Sequence, residues 1–142
     1  MDTTSAVRAT LAAIGADSQG HITIWDRGAV DFIGYGTEQM LGRNVELLVP
    51  HEYRDRHRAG FAAAMGGGPR TADAAPFHLP VLLANGSTEV FAVRFVFLDD
   101  PAGQPAGAMI LLQRALDVEA WTPVPTGTMR TPRAGEPNDA PQ

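Results

Sequence analysis

The stretch 22-ITIWDRGAVDFIGYGTEQMLGRNVELLVPHEYRDRH-57 decides the fold, because its start and stop signals recur at strand and helix spacing. Residues 21-HITIW-25 have the apolar, β-branched and aromatic content of a short strand. Asp26 can cap a helix over 27-RGAVDFI-33, since its carboxylate accepts from the free amides of the first turn, and Gly34 ends that helix. Thr37 can cap a second helix over 38-EQML-41, stopped by Gly42, and 43-RNVELL-48 reads as a turn. Pro50 then opens a longer helix, at the one position where its missing N–H costs nothing. Glu52 suits the positive end of that helix, and the glycines from Gly66 to Gly68 stop it.

Strands lie on either side of this helical block. Upstream, 11-LAAIGA-16 is joined to 21-HITIW-25 through DSQG, a composition suited to a hairpin turn. Downstream come 77-FHLPVLLA-84, the turn Asn85-Gly86, 88-TEVFAVRFVFL-98, the loop 99-DDPAGQP-105 and 106-AGAMILLQR-114. Strands enclosing a block of helices predict an α+β fold with an antiparallel sheet. In the longest strand Phe91, Val93, Phe95 and Phe97 share one face, which should meet the helices. Val90, Ala92, Arg94 and Val96 share the other, which is mostly apolar too. Pro80 lacks a backbone donor, so its strand belongs at a sheet edge.

Composition sets limits on chemistry. The chain has 142 residues, enough for one domain, and a net charge of −5 with its arginines scattered, which argues against a nucleic-acid partner. It contains no cysteine, so thiolate nucleophiles, disulfides and thiol-linked chromophores are excluded. All eleven basic side chains are arginine, which excludes Schiff-base chemistry on lysine. No apolar run reaches the roughly 20 residues of a membrane span, and the N-terminus lacks a signal-peptide core, so the expected location is cytoplasmic. No nucleophile elbow of the G-x-S-x-G type is present, and an enzyme is not expected. The C-terminal stretch 122-TPVPTGTMRTPRAGEPNDAPQ-142 has five prolines and no apolar periodicity, the composition of a disordered segment. The expected division is a cap segment over 1–10, a folded domain over 11–116 and a disordered tail over 117–142.

Within the long helix Tyr53, His57, Gly60, Phe61 and Ala64 fall on one stripe, with Glu52, Asp55, Arg56 and Ala63 opposite. His57 is therefore aimed inward. It either donates a hydrogen bond to a carbonyl or acidic side chain, or it meets a ligand. His51 and His21 are expected at the surface.

Ile24-Trp25-Asp26, Ile33-Gly34-Tyr35 and Met40-Leu41-Gly42-Arg43, with the hairpin 82-LLANGSTEVFAVRF-95 and the strand 108-AMILLQR-114, resemble the PAS domain family over residues 11 to 114. The resemblance implies a five-stranded antiparallel sheet with helices cupped on one face. It also implies a non-catalytic sensory role in signal transduction, such as two-component regulation, with a small ligand or cofactor held between helices and sheet. Family members pair as homodimers through the N-terminal segment and the outer sheet face, and pass signals to partners such as kinases or transcription regulators. A ligand-free dimerisation module is the alternative, its interior filled by Phe91, Phe95, Phe97 and Met109. The flavin- and coumarate-based photoreceptor types each need a cysteine, which this chain lacks.

The run 50-PHEYRDRH-57 is similar to the proximal-histidine helix of haem-binding oxygen sensors, which would make His57 the ligand to the iron of haem b. Phe61 beside it, with Phe77, Leu79, Val93, Phe95 and Leu111 on the opposite wall, would then enclose the cofactor. The arginine that oxygen-sensing kinases place on the first strand after this helix is replaced here by Phe77, so an oxygen sensor of that style is not expected.

Overall fold

A single carboxylate ties the strand-to-helix junction to the sheet. Asp26 Oδ1 accepts from the amide of Ala29 at 2.9 Å, capping the helix that follows, and from the amide of Ala13 at 3.0 Å on the neighbouring strand. The computed structural model describes residues 9–66, 76–115 and 117–125. Its strands are β1 (Ala12–Asp17), β2 (Ile22–Trp25), β3 (Phe77–Leu82), β4 (Thr88–Asp99) and β5 (Pro105–Arg114). They form one antiparallel sheet in the order β2-β1-β5-β4-β3, so the hairpin β1–β2 and the meander β3–β4–β5 meet at the β1–β5 seam. The helices α1 (Arg27–Ile33), α2 (Thr37–Met40) and α3 (Arg54–Met65) intervene between β2 and β3. This is the α+β architecture expected from the order of elements.

Alternation along the strands assigns the faces. The side chains of Ala12 and Ile14 on β1, Val81 on β3, Phe91 and Val93 on β4 and Leu112 on β5 join Trp25, Phe32, Ile33 and Met40 in one core. The pairs Val93↔Leu112, Ala12↔Leu112 and Ile14↔Ile110 place these residues opposite one another across the ladder. On the reverse face Ile24, Val96 and Leu98 remain exposed, whereas His78 and Ala92 are buried.

Helix α1 lies so close to β1 that only glycine fits at position 28. A Cβ built there would stand 2.1 Å from the carbonyl oxygen of Leu11 and 2.8 Å from Ala12 Cα. Gly34 closes α1 in the left-handed region, at a φ of 106°, with its amide bonded to Val30 O. The next cap differs from expectation. Gly36, not Thr37, is the N-cap of α2, and its amide donates to Gln39 Oε1 at 2.7 Å. The Thr37 hydroxyl donates instead to the carbonyl of Trp25, at 3.0 Å, so it pins α2 to the end of β2. Asn44 caps a 3₁₀ turn over Val45–Leu48. The long helix expected from Pro50 begins as a 3₁₀ turn, His51–Tyr53, before α3 proper, and Gly66 is its C-cap. Gly67 and Gly68 lie outside the described residues.

The expected tail boundary at residue 117 falls too early. Residues 121–124 run along the free edge of β3: Trp121 N donates to His78 O at 2.6 Å, His78 N to Thr122 O at 2.7 Å, and Val124 N to Pro76 O at 3.1 Å. Phe77 and Pro123 form an antiparallel bridge, and Val124 is buried. Since His78 turns its amide and carbonyl outward, Pro80, two residues on, turns its nitrogen outward as well. Its missing donor costs no bond to β4 and ends the pairing with this segment. Residues 126–142 and 1–8 lie outside the described residues. No helix among the described residues is long and apolar enough to cross a membrane.

Two glycine substitutions should act in opposite directions. Gly28→Ala forces backbone against backbone and should destabilise the fold by about 3 kcal/mol or more. Gly60→Ala on α3, where a Cβ would meet nothing within 4 Å, should stabilise it by about 0.5–1 kcal/mol. Urea unfolding of both variants checks this; a neutral Gly28→Ala would show that α1 does not press on β1.

Candidate functional site

Helix α3 turns Tyr53, His57, Phe61 and Ala64 toward the body of the protein and leaves Glu52, Asp55, Arg56 and Ala63 in solvent. Gly60, expected on the inward stripe, is exposed. Only Ala64 is fully buried, so α3 rests lightly on the rest of the structure. Its register is set by Arg54, whose Nε donates to Val49 O at 2.8 Å, and by an ion pair between Arg58 and Glu46.

Two hollows flank His57. One, of about 150 Å³, lies between α3, β3 and the C-terminal segment; Val49, Tyr53, His57, Leu79, Pro80 and Trp121 line it, and its wall is almost wholly apolar. The other, of about 300 Å³, is more polar and opens toward the β1–β2 turn, with Gln19, Asn44, Glu46, Arg58 and Phe61 on its walls. Trp121 closes the first. Its indole meets Tyr53 edge-on at 4.9 Å, and the Arg56 guanidinium lies 5.5 Å from its centroid.

His57 stacks on Phe61 with ring centroids 6.2 Å apart. Its Nδ1 is enclosed by protein and has no hydrogen-bond partner. The carbonyl or carboxylate acceptor that sequence reasoning offered it is thus missing at that nitrogen. Burial is the main influence holding its pKa below the ordinary 6.5; the nearby cation of Arg58 pushes the same way and the Glu46 carboxylate opposes it. The imidazole is therefore neutral at neutral pH.

The expected site residues divide between places. His57 and Leu79 share the apolar hollow, and Phe61 lines the second one. Phe77, Val93 and Phe95 share the helix-facing side of the sheet with Leu79, as the registers Phe77↔Val93 and Leu79↔Phe91 require, but they line neither hollow. Leu111 is misplaced. It pairs with Arg94 and Ala13 on the reverse face, and Leu112 occupies the core position; Met109, opposite Val96, also faces away from the helices. In 108-AMILLQR-114 both phases of the strand are apolar, so alternation alone does not choose between them. Tyr53 was legible on the stripe, but Val49, Pro80 and Trp121 were not assigned to the site. The available signal for Trp121 was a lone tryptophan beside a proline-rich stretch, too large an apolar surface to leave in solvent.

The residues around His57 do not fit a haem. The two hollows beside His57, of about 150 and 300 Å³, are at or below the lower end of the roughly 300–1,000 Å³ of drug-sized ligand pockets, and a flat tetrapyrrole is larger than a typical drug. The middle of the sheet's inner face, where a macrocycle would lie, is filled by Phe32 stacked on Phe91 at 5.6 Å.

A five-stranded antiparallel sheet with all its helices inserted between the second and third strands defines the architecture of the PAS fold. The family model described as the PAS fold matches residues 5–119, and the chain belongs to this family. Solved structures agree on the fold. A PAS domain from Colwellia psychrerythraea superimposes with a TM-score of 0.63 at 19% identity, over 75% of this chain and 87% of that one. The dark structure of the blue-light photoreceptor Aureochrome1 LOV gives 0.58 at 19% identity, over 75% of this chain and 76% of that one. The Cronobacter turicensis RpfR quorum-sensing receptor PAS domain in complex with BDSF gives 0.56 at 15% identity, over 78% and 97%. Among curated proteins none matches this chain by sequence.

The buried imidazole carries a pH signature. Because the fold holds His57 below 6.5, the unfolded chain takes up its proton first as pH falls. Stability from this group is full above that value and is lost as pH drops from it toward the lowered folded value. His57→Gln should flatten the loss over that interval in urea unfolding compared with the unsubstituted chain. An unchanged slope would place the imidazole in water.

Proposed function

We propose that this PAS domain is a non-catalytic sensory module that holds a small molecule in the hollow between α3, β3 and Trp121. One observation carries the reading: apolar side chains from three separate segments converge on the hollow, with a neutral imidazole on its wall. A site built from elements distant in sequence changes its packing when filled, which is what a sensor needs. That a quorum-sensing receptor and a photoreceptor share the fold supports the same class of role. A signalling partner, a kinase or transcription regulator in related systems, would read the change. Haem b is not the occupant this hollow supports.

Mass spectrometry of what the denatured protein releases, together with an absorption spectrum of the native protein, tests this. The expected result is a small molecule retained by the unsubstituted chain and absent from Leu79→Trp, which fills the hollow. A haem-type band that disappears in His57→Ala would contradict it, as would an occupant unaffected by Leu79→Trp.

A second reading, as a dimerisation module, is favoured by the exposed Ile24, Val96 and Leu98 on the reverse of the sheet. Val96→Asp should then convert a dimer into a monomer in light scattering; a monomer before substitution would contradict it.

A further inference from the structure

Residues 117–125 do more than cover an edge. Their pairing with β3 is short: three backbone bonds, a 2.9 Å contact between His78 Nδ1 and the Thr122 hydroxyl, and burial of Val124. Pro80 prevents the ladder from extending, and Trp121 itself sits at a φ of 68°, a backbone region that bulky residues rarely adopt. Such strain persists only where surrounding contacts over-determine it. Here those contacts are Tyr53, at the N-cap of α3, and Arg56 on α3, and both belong to the wall of the apolar hollow. Trp121 is thus at once the anchor of the C-terminal segment and one side of the binding space.

The hollow also limits what can enter. Its apolar recess, about 150 Å³ and open on one side, is of the size that takes a benzene-sized group. The Arg56 guanidinium at its margin lies over the indole, and His57 Nδ1 is shut away from solvent. A charged occupant would lose its hydration and gain no partner inside.

We propose that residues 117–125 form a ligand-responsive strap, that the occupant is a neutral apolar molecule of benzene size, and that filling the hollow clamps the strap onto β3. The proposal rests on the reading of the hollow as the binding site. An occupant packs against the indole only when the strap is docked, so it favours the docked state by its differential affinity. By reciprocity, loosening the strap weakens binding.

Benzene, titrated into the full-length chain and followed by NMR, tests both parts. It should shift the methyl resonances of Val49 and Leu79. At ten times its Kd it should slow exchange of the Trp121 and Val124 amides roughly tenfold. Trp121→Ala should abolish the response of the His78 and Val124 amides while the rest of the spectrum stays native. Thr122→Val, which touches the strap and not the hollow, should speed strap exchange, and should weaken benzene binding only by the docked fraction it removes. Methyl shifts without any change in amide exchange would overturn the strap and leave the binding site standing. No methyl shift up to the solubility of benzene would overturn both.

Discussion

Phe32 lies nearly flat on Phe91, with centroids 5.6 Å apart, and this contact determines where the molecule can be hollow. Stacked aromatics contribute about 0.5–1.5 kcal/mol beyond the area they bury. Their larger effect here is steric, since they occupy the middle of the sheet's inner face. Phe32 reaches that position because α1 is pressed against β1, which needs the missing side chain of Gly28 and the two bonds accepted by Asp26. Arg114 closes the stack from the edge, its guanidinium 4.6 Å from the centroid of Phe32 and paired with Glu89. Beyond this plug, under α3, the apolar hollow opens.

Helix α3 is suited to being a wall that responds. Its charge is concentrated in its first five residues and it buries little apart from Ala64, so few apolar contacts resist its displacement. The strong attachments lie at its start, through Arg54 and Val49, and along one side, through Arg58 and Glu46. The enclosed imidazole nitrogen of His57 has no hydrogen-bond partner, which costs stability beside the hollow.

Much of the fold was legible in the sequence because its signals are local. Asp26, Gly34 and Asn85-Gly86 each act on amides within a few residues, and the strand Thr88–Asp99 alternates over its whole length. What escaped depends on distance. The choice between Leu111 and Leu112 rests on which phase of an all-apolar strand meets β1 and β4. Thr37 looks like a cap, yet its hydroxyl is taken by a carbonyl from β2. The candidate site was half visible: the helical stripe exposed His57 and Tyr53, but the wall is completed by Val49, Pro80 and Trp121. Trp121 lies next to a proline-rich stretch and is held by the free edge of β3, the Tyr53 ring and the Arg56 guanidinium. No local rule reports such an edge.

The central claim is that the interior is closed at Phe32–Phe91 and open between Tyr53, Leu79 and Trp121. A crystal structure of the full chain under xenon pressure addresses it directly, since xenon enters dry apolar cavities of this size without needing a hydrogen bond. The account predicts a xenon peak against Val49, Leu79 and the Trp121 indole, and none between Phe32 and Phe91. A peak at the centre of the sheet, or an indole swung in to fill the space beside Leu79, would contradict it.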